Sequence, residues 1–181
     1  MSKHLFSRIK NLVISEWNYT LSRMGVVRCS HYPTFVSIEP ANFCSLHCPA
    51  CPVGLRGKDE QHRKLLPMES YLNVLGKLSP YVHTIQFYFQ GEPLLNRHLP
   101  KQEGLYTSLS TNAQGMNRLL ADQLVVSGLD HIIVSIDGLS EESYNAYRQG
   151  GSLHKALDGL CYVRQAKKKH NAHIRIELQC L

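Results

Sequence analysis

Five short β-rich segments, separated by segments of helical spacing, constrain this 181-residue chain more than any other feature. Thr34 to Glu39 (TFVSIE) alternates and is rich in β-formers. His83 to Phe89, Leu105 to Leu109, His131 to Ile136 and His173 to Leu181 read as strands for the same reason. Between them, Met68 to Leu78, Met116 to Val126 and Leu153 to Lys168 carry helical spacing, and Ser140 to Arg148 starts a shorter helix. Ser140 is a good N-cap with Glu142 and Tyr144 behind it, and Gly128 is placed to cap the helix that ends at Val126. Strands alternating with helices imply βαβ units and a parallel sheet. Ligands in such sheets sit at the carboxyl ends of the strands. The polar segments of interest all fall there. A cysteine-rich loop running to about Lys58 follows the first strand, and Gly91-Glu92-Pro93 follows the second. Ser110-Thr111-Asn112 closes the third, and Ser135 to Gly138 closes the fourth. One site built from four strand ends is the expectation.

Ahead of the first strand, Lys3 to Arg23 reads as an amphipathic helix, with Leu5, Phe6, Ile9, Leu12, Val13 and Trp17 at helical spacing. Its apolar stripe is expected to cover a core rather than to lie on a membrane. Arg8, Lys10 and Glu16 break that stripe, so it is no signal peptide, and no run of about 18 uncharged apolar residues exists to span a bilayer. An apolar content of 43% with 19% charged residues excludes a disordered chain. The surplus of 20 Lys+Arg over 14 Asp+Glu is moderate and marks no clear nucleic-acid site. Lys167, Lys168 and Lys169 read as a solvated helix end.

Three of the six cysteines fall within eight residues, which fits a reducing, cytoplasmic compartment and a metal role better than disulfides. Cys44, Cys48 and Cys51 have the form C-x3-C-x2-C. Three thiolates from one loop can hold three irons of a cubane and leave the fourth open to a ligand that is not protein. The rival is a zinc site of Cys3His type, with His47 or His62 as the fourth ligand, although zinc sites usually pair two separated ligand couples. A ferredoxin-like carrier would need a fourth cysteine at defined spacing. Cys29, Cys161 and Cys180 are isolated and read as small buried hydrophobes. His83, His98, His131 and His173 share no spacing with each other or with the loop.

C-x3-C-x2-C after the first strand, Gly-Glu-Pro after the second, Ser-Thr-Asn after the third and Ser-Ile-Asp-Gly after the fourth together resemble the radical S-adenosylmethionine (SAM) superfamily. The resemblance runs from about Thr34 to Leu181. The wording around the cysteines, Glu39-Pro40-Ala41-Asn42 and Cys51-Pro52-Val53-Gly54, looks most like the branch that often carries a C-terminal SPASM domain and includes peptide-modifying maturases.

The resemblance implies a partial (β/α)6 TIM-like barrel of about five βα units, preceded by an N-terminal helix. Residues 1–30 would be a helical extension and 31–181 the core domain. It also implies a 4Fe–4S cluster on Cys44, Cys48 and Cys51, with SAM bound at the open iron. Reductive cleavage of SAM would give a 5′-deoxyadenosyl radical that abstracts hydrogen from a peptide or small-molecule substrate. Electrons would come from a donor such as flavodoxin or ferredoxin. Carried over by position, Gly91 and Glu92 match the turn that receives the SAM amino group. Ser135 and Asp137 match positions near the ribose, and Arg148 matches a partner of the SAM carboxylate. Ser110, Thr111 and Asn112 match a strand end facing SAM or substrate. The alternatives are a metal-binding domain without catalysis, holding zinc or an iron–sulfur cluster, and a degenerate relative.

The sequence departs from the family pattern at Ala50, where a bulky residue is usual, and at Gln90, where the turn often has a second glycine. Gly91 to Leu105 is short for a parallel crossover containing a helix, and Pro93 and Pro100 lie within it. The last strand-like segment runs to Leu181. A chain truncated at its C-terminus and shortened between strands two and three is expected.

Overall fold

The structure is a computed structural model, and it describes residues 4–56, 62–97 and 104–180. Among these, five strands form one parallel sheet in the order β1-β2-β3-β4-β5. They are β1 (Phe35–Ser37), β2 (Thr84–Phe87), β3 (Tyr106–Thr111), β4 (His131–Ser135) and β5 (Arg175–Gln179). Every strand lies beside its neighbour in sequence, the order expected of a barrel arc rather than of a doubly wound sheet. Helices α3 (Met68–Leu78), α4 (Arg118–Val126), α5 (Glu141–Tyr147) and α6 (Leu153–Lys169) connect them, and a short helix α2 (Pro52–Leu55) follows the cysteines.

The helix ends follow local chemistry. Asn117, Ser140 and Ser152 each accept a backbone N–H from the first turn of the helix they precede. The partner of Ser140 in its capping box is Ser143, not Glu142 or Tyr144. Gly128 takes φ +81° just past α4, where the left-handed conformation suits glycine. β2 stops at Phe87, two residues before the end expected from its sequence. Beyond it, Gln90 N–H donates to Glu39 Oε1 at 3.0 Å, and the chain leaves the ladder.

Two faces of the sheet serve two purposes. Ile85, Phe87, Leu109, Ile132 and Val134 pack with Tyr71, Leu120, Val125 and Val163 of the helices in one continuous core. Burying side chains of this size stabilises by about 1.5–3 kcal/mol each. The alternate residues Ser110 and Ser135 open instead onto a cavity at the strand ends.

The N-terminal helix α1 (Leu5–Arg23) forms as expected but is turned the other way round. Phe6, Ile9, Val13 and Trp17 are exposed, at 81%, 49%, 62% and 61%. Its buried residues are Arg8, Asn11 and Asn18. Arg8 donates from Nε to the Ser79 carbonyl at 2.9 Å and from Nη1 to the Gly104 carbonyl. Asn11 donates to the carbonyls of Tyr32 at 3.0 Å and Tyr81 at 3.3 Å, and accepts the Tyr32 N–H at 2.8 Å. The loop ends it meets, ahead of β1, β2 and β3, present backbone groups that need partners, so polar side chains rather than the apolar stripe dock there.

Cys29, Cys161 and Cys180 are exposed rather than buried. Cys161 lies on the outer side of α6, and the other two follow α1 and β5. Between β2 and β3 the chain makes a 3₁₀ turn at Pro93–Leu95; Pro100 and His98 lie outside the described residues, as do Lys58 and Leu181.

Candidate active site

The cysteine loop is fastened at three places. Glu92 N–H donates to the Phe43 carbonyl at 2.9 Å, which ties the loop to the turn after β2. His47 N–H donates to the Gln149 carbonyl at 2.9 Å, which ties it to the segment after α5. Asn112 Nδ2 donates to Cys44 Sγ at 3.3 Å, which ties it to the end of β3. Gly91 is required by contact: a Cβ there would sit 1.7 Å from the Ala41 carbonyl oxygen. A Cβ on Gly54 would meet the Cys48 carbonyl oxygen at 2.5 Å, so the loop closes tightly on α2. Gln90, which stands where a second glycine was looked for, spends its N–H on Glu39.

Cys44, Cys48 and Cys51 line one cavity of about 190 Å³. Gly91, Glu92, Ser110, Thr111, Asn112, Ser135 and Arg148 line it too, so the structure brings together nearly every position singled out in the sequence. Asp137 does not line it. Its buried carboxylate meets Arg148 Nε in an ion pair and so sits behind the arginine. Tyr88, Phe89 and Tyr147 also face the cavity and were not foreseen. Tyr88 and Phe89 were assigned to the strand, and the early end of β2 frees them. Tyr147 was legible, because it directly precedes Arg148.

Glu92 is 5% exposed and fully engaged. Its Oε1 accepts from Thr111 Oγ1 at 2.6 Å and from Leu94 N–H at 3.1 Å, and its Oε2 accepts from Asn112 N–H at 2.9 Å. Burial pushes its pKa up, against the pull of those donors. The carboxylate thus clamps the turn after β2 to the end of β3. Ala113 next to it takes φ +56°, an uncommon conformation for a residue with a Cβ, and its N–H donates to Thr111 Oγ1 at 2.9 Å. Burial also raises the Cys44 and Cys48 thiols, although Arg148 pulls Cys48 back toward the thiolate. Binding a metal group here releases those protons.

The donor set suits a cluster. Three soft sulfurs share one cavity wall, with no fourth cysteine and no histidine among the described residues that line it, which is the arrangement of an open cubane. His47 and His62, the ligands a zinc site would need, do not line that cavity. Among the described residues, no three His, Cys, Asp or Glu side chains converge on a single-ion position.

The sequence pattern of the Radical SAM superfamily matches residues 38–176. The chain belongs to this superfamily. Radical SAM proteins carry a 4Fe–4S cluster and SAM, and the family is one of enzymes. The chain is 27% identical over 123 residues to Fe-coproporphyrin III synthase of Methanosarcina barkeri, covering 65% of this chain and 30% of that protein. It is 30% identical over 149 residues to the PqqA peptide cyclase of Xanthomonas oryzae, covering 73% of this chain and 37% of the cyclase. It therefore spans about a third of the length of such relatives. Among solved structures, native anSMEcpe with bound AdoMet superposes with a TM-score of 0.64 at 20% identity, over 82% of this chain and 43% of that one. Streptococcus suis SuiB bound to S-adenosylmethionine gives 0.60 at 17% identity, over 91% and 38%. The radical SAM fold, a TIM-like barrel present here in part, is thereby established. No described helix is long and apolar enough to cross a membrane.

Proposed function

We propose that this chain is the core of a SPASM-type radical SAM enzyme that takes hydrogen from a peptide substrate. The observation that carries the reading is that three thiols from one eight-residue loop share a single cavity with the ends of β2, β3 and β4. Cys44, Cys48 and Cys51 would hold a 4Fe–4S cluster. The chemistry such a group would supply is one-electron reductive cleavage of SAM to methionine and a 5′-deoxyadenosyl radical able to abstract a substrate hydrogen.

The rest is positioning by this chain. Arg148 offers its guanidinium to the SAM carboxylate, and Asp137, paired at Nε, fixes the plane of that fork. The backbone of Gly91 and Glu92 meets the amino group. Ser135 and Asn112 offer a hydroxyl and an amide to the ribose, and Ser110 and Thr111 complete that wall. Asp137 acts through Arg148 in this reading, not on SAM. The peptide as substrate rests on the likeness to PqqA peptide cyclases. Residues 1–30 are taken as an extension and 31–181 as the core, working in the cytoplasm with a flavodoxin or ferredoxin as electron donor.

Anaerobic reconstitution with iron and sulfide, followed by SAM and dithionite, tests the proposal. 5′-Deoxyadenosine is expected from the wild type and not from Cys48→Ala. A brown cluster without that product would sink the cleavage step for this chain. Bound zinc and no cluster would sink the assignment of the cysteines.

A further inference from the structure

Asn112, just past the end of β3, is bound in three directions. Its N–H donates to Glu92 Oε2 at 2.9 Å, its Oδ1 accepts the Gln114 N–H at 3.0 Å, and its Nδ2 donates to Cys44 Sγ at 3.3 Å. The residue is 4% exposed. A backbone N–H can only donate, so the amide oxygen must be the end that faces Gln114. The NH2 end is thereby turned to the sulfur, because a flipped amide would set it against the Gln114 N–H.

Gln114 is itself held. Its Oε1 accepts the Ser152 N–H at 2.8 Å, and its Nε2 donates to the Tyr144 hydroxyl at 3.0 Å and the Ser152 carbonyl at 2.9 Å. The bond from Gln114 N–H to Asn112 Oδ1 closes an Asx turn, and Ala113 inside it takes φ +56°. A residue with a Cβ keeps such a conformation only where its surroundings over-determine it. Cys44 Sγ also accepts the Leu46 N–H at 3.4 Å, a donor from within the cysteine loop. The Asn112 donor comes instead from 68 residues away, aimed by the strand end and its turn.

We infer that Asn112 is a positioning residue that acts through Cys44 Sγ to raise the reduction potential of the cluster the three thiols would hold. The inference rests on the radical SAM reading above and goes beyond the SAM contact given to Asn112 there. Nδ2 carries two N–H groups, so one serves the sulfur and the other remains for the ribose. The physical reason is charge. Each electron added to a thiolate-ligated cluster makes its sulfurs more negative, and an N–H aimed at one of them stabilises the reduced form more than the oxidised one. A donor already fixed in place costs no reorganisation when that charge arrives. Reduction here takes up one electron, and no bond or proton moves.

The test is a redox titration of the full chain, loaded with iron and sulfide without oxygen and kept free of SAM, with the reduced cluster followed by EPR. Asn112→Leu keeps the approximate size of the side chain and removes the donor. Its equilibrium constant for reduction is expected to fall about tenfold, which for one electron is a potential lower by about 59 mV. Asn112→Asp, which puts a charged acceptor in place of the donor, is expected to fall further. A purely structural role would reduce the iron bound per chain and leave the potential of the clusters that form at the wild-type value. That outcome overturns the inference. A second readout needs no variant. In wild type carrying asparagine labelled with 15N in its side-chain amide alone, pulsed EPR of the reduced cluster should show a weak 15N coupling. Absence of that coupling overturns the inference even where Asn112→Leu takes up no cluster. A wild type that binds zinc and forms no cluster would instead strike the radical SAM reading, and the inference with it.

Discussion

Glu141 shows how one carboxylate joins two helices. Its Oε1 accepts from Ser152 Oγ at 3.0 Å and His154 N–H at 2.9 Å, and its Oε2 accepts from Leu153 N–H at 3.0 Å. A residue at the start of α5 thus caps the start of α6, where free N–H groups and the helix dipole favour a negative charge. The backbone N–H of His154, then that of Leu153, holds its pKa below the usual glutamate value of 4.5. A folded-state pKa that is depressed contributes stability above the unfolded pKa and loses it as pH falls through the folded one. Urea midpoints of wild type and Glu141→Gln should therefore differ at neutral pH, with the variant weaker, and converge as the pH drops below the glutamate range. Curves that stay parallel at every pH would show that the charge contributes nothing. None of this was legible in the sequence, where Glu141 is one acid beside an N-cap. The positions of Cys44, Cys48, Cys51, Gly91, Ser135 and Arg148 were legible, because strand ends and short motifs fix them locally. The pairing of Glu92 with Thr111 depends on which strand ends lie side by side, and that of Asp137 with Arg148 on how the end of α5 returns to the turn after β4; no local pattern encodes either.

At the scale of elements, α1 is the instructive case. Its period was read correctly and its orientation was not. Apolar spacing states that a helix has two faces, but which face docks depends on what it meets. Here it meets the carbonyls of Tyr32, Ser79, Tyr81 and Gly104, and polar side chains satisfy them. Asn11→Ala strips hydrogen bonds from two carbonyls and one N–H at once. Leaving buried polar groups unpaired costs about 1–3 kcal/mol. Phe6→Ser, on the outward ridge, should stay within about 0.5 kcal/mol. Thermal or urea unfolding of the two variants checks the order. If Phe6→Ser were the more damaging, the apolar face would be the docked one. The second strand carries a related lesson. His83 to Phe89 is a single β-rich run, but its ladder with β3 ends at Phe87 paired with Leu109. The two aromatic residues beyond are given up to the cavity, because Gly91 must reach Ala41 and the chain has to turn early.

For the whole molecule, the parallel sheet and the sequential strand order unite these observations. Each βα unit delivers its polar turn to the same edge, so residues from 44 to 148 meet in one cavity although no two motifs adjoin in sequence. That convergence was legible from the rhythm of strands and helices. The unequal solidity of the sheet was not. β4 lies between β3 and β5, and its residues from Ile132 to Ser135 are all buried. β1 is a three-residue strand paired on one side, with Phe35 and Ser37 exposed. Local opening is cheap where few buried contacts must break and approaches global unfolding in the core. Amides of Ile132 to Val134 should then exchange with solvent most slowly. Those of β1 should exchange at least about tenfold faster, one factor of ten for each roughly 1.4 kcal/mol by which opening there is cheaper. Hydrogen-exchange mass spectrometry over the two segments decides it. Equal protection would mean that the sheet opens as one unit. The predicted gradient would place the start of the cysteine loop, which leaves the end of β1, on the side of the sheet that yields first. The bonds that tie Phe43 to Glu92, His47 to Gln149 and Cys44 to Asn112 would then be what holds the three thiols in register.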